Sequence, residues 1–242
     1  MSTTNVAAMS SHDTVSVEIV DDLAVIRIDD GKANALGHAT LDALDTALDD
    51  AAGAKAIVLF GRQGKFSAGF DLAVMQEGPE AAADLVRKGA ELCLRLYGFP
   101  VPVLSGSDGH ALAAGALLLL SSDVRIATDS PGRIGLPETT IGIPLPVFGT
   151  ELARERLSRR HFTAATLLGT VYSPAEAVDV GFLDRVVPAA EMESTVLETA
   201  RGHADALTPA AFATTRINTR QSMIDLVKRS LDEDMASFSV VS

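Results

Sequence analysis

The sequence predicts an α/β domain with a helical C-terminal region. Short β-branched apolar runs alternate with amphipathic helical stretches, and then helical pattern continues alone. A third observation makes the class globular: 47% of the 242 residues are apolar and 21% charged, too rich in Leu, Val and Ile for a disordered chain. At this length one large domain with a substantial buried core is expected. Residues 1–14 read as a flexible tail, 15–188 as the core and 189–242 as a C-terminal helical region.

Leu23 to Ile28 alternates and is β-branched, as a strand does, and Asp29-Asp30-Gly31-Lys32 turns the chain after it. Thr40 opens a helix in which Leu41, Leu44, Leu48 and Ala51 share one face, with Asp42, Asp45 and Asp49 opposite; Gly53 closes it. Ala56 to Phe60 is a buried strand, Pro79 to Leu96 a long helix ended by Gly98 and Pro100, and Val101 to Ser105 a further strand. An apolar helix around Gly115 to Ser121 follows, then a short strand from Val124 to Ala127. Gly and Pro punctuate residues 130–149, and an irregular loop of that length in a compact domain is usually functional. Helices are read at Thr150 to Leu157, Thr163 to Leu168 and Pro174 to Val180. The last has Ser173 as N-cap, Pro174 at its first position and Gly181 as its stop. Leu183 to Val187 is the final strand, and Ala189 to Phe238 is helical with a break at Leu207-Thr208-Pro209.

A net charge of -12 argues against a nucleic-acid partner, which needs concentrated Lys and Arg, while leaving room for a local basic pocket and an anionic ligand. The single cysteine, Cys93, excludes an intramolecular disulfide framework and sits in a Leu-rich helical pattern, as a packed thiol would. No basic segment followed by an apolar run opens the chain, and Ala111 to Leu120 is about half the length of a membrane span. The expectation is a cytoplasmic protein without a membrane partner. The histidines show no metal-ligand spacing with one another or with Cys93, so no metal is expected. His110, in an apolar run, reads as a core residue, with pocket lining as the other reading.

One short stretch resists assignment to a helix or strand. FSAGFDL, Phe66 to Leu72, puts Ala-Gly and then an aspartate between apolar residues, which a core strand rarely does. It reads as a bend between a strand and a helix, with Gly69 serving the turn and Asp71 capping the helix. Taken with GKANALG at 31–37, GHALAAGALLLLSSDVRIA at 109–127 and IGLPETTIGIP at 134–144, this stretch resembles the crotonase superfamily of enoyl-CoA hydratases and isomerases, over roughly residues 15–235.

The resemblance implies a spiral of ββα units, a C-terminal helical region that mediates trimerisation, and an acyl-CoA thioester as partner, in a homotrimer or a dimer of trimers. It implies no separate cofactor, since coenzyme A arrives as part of the substrate. Backbone N–H groups of Phe70 and Ala114 match the family's oxyanion hole, where fixed donors stabilise a thioester enolate more than the ground state. Ala33, Ala35, Leu36 and Ala68 match the backbone that flanks the CoA, with Asp71 and Leu72 completing the turn. Lys32, Arg62 and Lys65 lie where the family binds CoA, and read either as phosphate contacts or as surface charge. The Arg154 to Arg160 cluster reads as a subunit contact, a phosphate contact or a solvated face.

In the second motif this sequence departs from the hydratases, which carry a glutamate at the position of Leu117. The carboxylate of the third motif, in Pro137-Glu138, is kept. One glutamate opposite an apolar residue resembles the Δ3,Δ2-enoyl-CoA isomerases, where one carboxylate moves a proton from C2 to C4. Leu117 beside Glu138 would also desolvate the carboxyl and raise its pKa. Two other readings stay open: hydration or another reaction through a thioester enolate, and acyl-CoA binding without turnover.

Overall fold

A computed structural model describes residues 6–12 and 14–238. The chain opens with an antiparallel meander of β1 (Val6–His12), β2 (Val15–Val20) and β3 (Leu23–Ile28). Asp21 and Asp22 both take positive φ, 48° and 65°, giving the tight turn whose twist suits a two-residue hairpin.

From β3 onward the chain winds as a spiral whose coils each contain a main-sheet strand, a short second-layer strand and a helix. The first coil continues into β4 (Ala35–Leu36) and α1 (His38–Asp50). Next come β5 (Ala56–Phe60), β6 (Lys65–Ser67), β7 (Gly69–Phe70), the single turn α2 (Leu72–Met75) and α3 (Pro79–Tyr97). The third coil is β8 (Val103–Ser107), β9 (His110–Leu112) and α4 (Ala114–Leu120). The fourth is β10 (Val124–Thr128), β11 (Ile134–Gly135), a 3-10 turn at Glu138–Ile141 and α5 (Val147–Arg156). Then follow α6 (Phe162–Thr166), β12 (Val171–Tyr172), α7 (Pro174–Val180), β13 (Arg185–Val187), α8 (Met192–Ala206) and α9 (Pro209–Ser237).

The main sheet runs β1-β2-β3-β5-β8-β10-β13, parallel from β3 onward; a second sheet runs β12-β11-β9-β6, and β4 pairs with β7. Both faces of the main sheet are covered. Ile26, Ile57 and Leu59 face the core shared with α1, α3 and α4, while the alternate residues Val25, Val58 and Phe60 pack with Val196 and Ala200 of α8. Burial on both faces explains why β5 reads as an unbroken apolar run, Ala-Ile-Val-Leu-Phe. Cys93 is buried as expected, and burial pushes its thiol pKa up to about 12.

Several expectations are corrected. Residues 6–12, read as part of a loose tail, form the edge strand β1: backbone pairing to β2 requires no apolar signature; the rest of that tail lies outside the described residues, apart from Thr14. The strand read at Val101 begins at Val103, because Pro102 has no N–H and offers only its carbonyl, to Ile57 N at 2.8 Å. The loop read over 130–149 contains β11 and the 3-10 turn, and α5 begins at Val147, where Asp234 of α9 accepts a hydrogen bond from its N–H at 2.8 Å. Asp123 holds Arg216 at 2.5 Å and Arg220 at 2.7 Å, both from α9, and accepts from Val103 N. Arg125 forks onto Asp184 beside β13. In the Arg154 to Arg160 cluster, Arg156 turns inward to the Ser122 and Asp123 carbonyls and Arg154 pairs with Glu151.

Asp123 therefore fastens the last helix to the body of the fold, with the Arg216 and Arg220 side chains only 4% and 14% exposed. Asp123→Ala should lower unfolding stability by about 3–5 kcal/mol, since it leaves buried guanidinium charge without its partner; urea denaturation at neutral pH measures this, and a loss below about 1 kcal/mol would contradict the assigned role.

Candidate active site

Asn34 holds the first loop against the second. It is fully buried at φ 51°, a conformation Asn tolerates better than most residues. Its Nδ2 donates to the carbonyls of Ile28 at 2.7 Å, Lys65 at 3.3 Å and Phe66 at 3.1 Å. The Ser67 hydroxyl donates to the Asn34 carbonyl at 2.7 Å and accepts from Gly69 N at 3.2 Å. Partial burial works against ionisation of Asp30, yet the N–H groups of Asn34, Lys32 and Ala35 hold its carboxyl below the ordinary carboxylate value. The matched positions Ala33, Ala35, Leu36 and Ala68 are thereby brought together: Ala68 N donates to Ala33 O at 3.0 Å, and Ala35 and Leu36 pair with Gly69 and Phe70.

Gly69 has φ 100°, and a Cβ there would lie 2.9 Å from Ala113 Cβ and 3.3 Å from Ala114 N. Only glycine lets β7 approach the start of α4 this closely. Ala113 takes φ 52° and ψ -126°, a strained conformation for a residue with a Cβ. It turns the chain so that Ala114 becomes the first residue of α4, where an amide has no carbonyl one turn behind it. On the other side of the contact, Asp71 N–H donates to Leu36 O at 3.2 Å. Successive amides of an extended chain alternate in direction, so the Phe70 N–H is turned away from β4. Asp71 is the cap the sequence suggested, its side chain accepting from Ala73 N at 2.9 Å. The Phe70 ring lies on α3 at Gly89, where a Cβ would come within 2.4 Å of it.

Glu138 begins the 3-10 turn, which closes at Gly142 with φ 76°. It is 6% exposed, and its Oε2 has no hydrogen-bond partner. Desolvation raises its pKa to about 7. The carboxyl faces a cavity of about 230 Å³ shared with Ala68, Phe70, Leu72, Leu117 and Pro137. Leu112 and Ala113 also line it, together with Ile141, Ile143 and Pro146, and Met75, Val86 and Phe238 complete the wall. Glu138 is the sole ionisable side chain among the described residues of this lining.

Not every expected residue lines the cavity. Lys32 is exposed and Lys65 half-buried, outside it; Arg62 is tied to Asp29 at 3.0 Å. Val147 and Phe148 also lie outside the cavity, because α5 begins at Val147 and Phe148 is buried in the core; Ile141, Ile143 and Pro146 line it. His110 is half-buried rather than core, and desolvation together with Lys65 and Arg133 lowers its pKa. Sequence reasoning missed Asn34, Gly89, Ala113 and Phe238. The asparagine beside two alanines in GKANALG was the available signal for the first; nothing local marked the others. Among the described residues no group of three His, Cys, Asp or Glu could hold a metal ion, and no helix is long and apolar enough to cross a membrane.

A family profile described as enoyl-CoA hydratase/isomerase matches residues 18–239. The chain belongs to the enoyl-CoA hydratase/isomerase family. Human mitochondrial enoyl-CoA delta isomerase 1 is 38% identical over 138 residues, 56% of this chain and 46% of its own length, so the chain spans about half of that relative. A probable enoyl-CoA hydratase of Bacillus subtilis is 32% identical over 222 residues, 88% of this chain and 81% of that protein. A Mycobacterium tuberculosis protein, described in one solved structure as an enoyl-CoA isomerase and in another as a probable enoyl-CoA hydratase, superposes in the first with a TM-score of 0.89 at 35% identity, over 94% of this chain and 100% of the other. The spiral is thus the crotonase fold of this enoyl-CoA hydratase/isomerase family, and both reaction names occur among its relatives.

Two measurements follow from this geometry. Ala113→Gly should stabilise the fold by about 1 kcal/mol, the relieved strain exceeding the added unfolded-state entropy; chemical denaturation would show the opposite sign if Ala113 were unstrained. Because the folded state keeps the Glu138 proton to about pH 7 and the unfolded state releases it near 4.5, wild-type stability relative to Glu138→Gln should fall as pH rises between those values and level off above. The full span is about 3 kcal/mol, and a flat difference across that window would contradict the raised pKa.

Proposed function

We propose that this chain catalyses Δ3,Δ2-enoyl-CoA isomerisation with Glu138 as the acid and base. The observation that carries the reading is a solitary buried carboxyl in an apolar cavity, with one oxygen unpartnered and a pKa near neutrality. A base of that pKa is matched to shuttling a proton at pH 7. The Glu138 carboxylate removes a proton from C2 of a 3-enoyl thioester, and the C–H electron pair moves into a dienolate whose charge rests on the thioester oxygen. The Phe70 and Ala114 N–H groups donate to that oxygen, where fixed donors in a dry site act most strongly. Glu138 then returns the proton to C4, and the double bond ends between C2 and C3, conjugated with the carbonyl. One carboxyl suffices, because nothing is added to the substrate.

Hydration places a different demand on the site, since water must be positioned and activated. Family hydratases use two carboxylates for this, and the second position is Leu117, whose side chain lines the same cavity. Lys32 and Lys65 provide the positive charge for the CoA phosphates, and the working assembly is a homotrimer or a dimer of trimers.

Purified protein incubated with 3-enoyl-CoA, 2-enoyl-CoA and saturated acyl-CoA tests this reading. Isomerisation of the 3-enoyl substrate should be about 10²–10⁴-fold slower in Glu138→Gln, and the wild-type kcat/KM should rise with pH to a plateau above about 7, as the base form of Glu138 becomes populated. Full activity in the Gln variant would remove Glu138 from the mechanism. Rapid water addition to 2-enoyl-CoA would favour a hydratase instead, and binding of all three without product would make the protein a binder.

Phe70 offers a separate check. Gly89→Ala should push its ring off α3, and with it the neighbouring N–H, lowering kcat by about tenfold or more; single-turnover kinetics with 3-enoyl-CoA measures this, and an unchanged rate would mean the ring does not position the amide.

A further inference from the structure

The outer wall of the cavity is supplied from a distance. Phe238, the residue that follows α9, is only 7% exposed and lines the cavity together with Pro146, Met75 and Val86. It is the one lining residue contributed by the C-terminal region among those described. Its placement is tied to an unusual cap. Pro146 is the N-cap residue of α5 and has no side chain able to accept from the helix amides. Asp234 takes over that task, its Oδ2 accepting from Val147 N at 2.8 Å. Asp234 lies four residues before Phe238, near the end of α9, so a carboxylate anchored on the first amide of α5 ties down the chain segment that carries the phenyl ring. Because Pro146 both precedes the capped amide and lines the cavity, this attachment lies at the cavity rim.

Resting on the reading of the cavity as an acyl-thioester site, we infer that Phe238 limits the length of acyl chain the site accepts, and that Asp234 holds it there as a positioning residue. The cavity of about 230 Å³ is smaller than the roughly 300–1,000 Å³ usual for small-molecule sites, which suits a short acyl chain. A longer chain has to displace the ring or leave methylenes in water.

Calorimetric titration of the full chain with butyryl-, octanoyl- and dodecanoyl-CoA tests this, because saturated thioesters bind without double-bond chemistry. For the wild type, affinity should stop rising before dodecanoyl-CoA. In Phe238→Ala it should continue to rise, by about fourfold for each further buried methylene, while Phe238→Trp should move the limit to shorter chains. Asp234→Ala should relax the limit as Phe238→Ala does, and Asp234→Asn, which keeps an acceptor for the Val147 amide, should restore it. A merely structural Asp234 would weaken all three thioesters equally in Asp234→Ala, and that result would overturn its positioning role. An unchanged chain-length profile in both Phe238 variants would overturn the assignment of Phe238 while leaving the acyl-thioester reading intact. Failure of the wild type to bind any of the three would overturn that reading and this inference together.

Discussion

Everything at the site depends on two backbones meeting without a side chain between them. Gly69 approaches the first residues of α4 so closely that a Cβ would fall 3.0 Å from the Leu112 carbonyl, and Gly115 packs on Ser67, where a Cβ would lie 2.4 Å from its carbonyl oxygen. The buried Asn34 amide and Ser67 hydroxyl hold this arrangement with hydrogen bonds that leave few polar groups unpaired. Strain of about 1–3 kcal/mol at a residue such as Ala113 persists only where the surroundings over-determine it. Here they do: Ala113 N donates to Gly135 O at 3.0 Å, and Ala116 and Leu117 both donate to Ala113 O.

The carboxylates of this protein divide by the partners they are given. Partial burial is outweighed at Asp184 by Arg125, and at Asp30 by three backbone amides, so both are held below their ordinary pKa. Asp123 is enclosed by two arginines and an amide. Glu138 receives no such partner on Oε2 and shares its cavity with Leu117, Ile143 and Phe70, so desolvation prevails and its pKa moves the other way. The difference is one of environment, since all four are carboxyl groups. Asp234 is also raised by desolvation, although it accepts from Val147 N, so what sets Glu138 apart is an unpartnered oxygen beside an apolar cavity, the feature on which its proposed role in proton transfer rests.

The parts of this arrangement that are written locally could be read from the sequence. The Ser173 N-cap with Pro174 after it, the left-handed stop at Gly181, the β5 run and the Asp71 cap all obey short-range rules, and they stand where the pattern put them. The motifs around Gly69, Ala114 and Glu138 were legible through family resemblance, and so was Leu117, at the position where the hydratases carry a glutamate. What escaped were contacts made across long separations. Asp123 finds Arg216 and Arg220 on α9, and Asp234 finds Val147, through packing that no local window contains. Ala113 escaped for another reason: an alanine at positive φ has no compositional signature, because the usual signal for that conformation is glycine.

The spiral also distributes its duties among different coils. The paired amides come from β7 and the start of α4, whereas Glu138 belongs to the coil after β11, on a short turn ended by Gly142. On the proposed reading, stabilisation of negative charge and movement of protons are carried by different coils of one scaffold. The two segments meet at β11, where Gly135 O accepts from Ala113 N three residues before Glu138. On that reading, a change of the acid on the turn would change the reaction while the amides keep their grip on the same kind of oxygen.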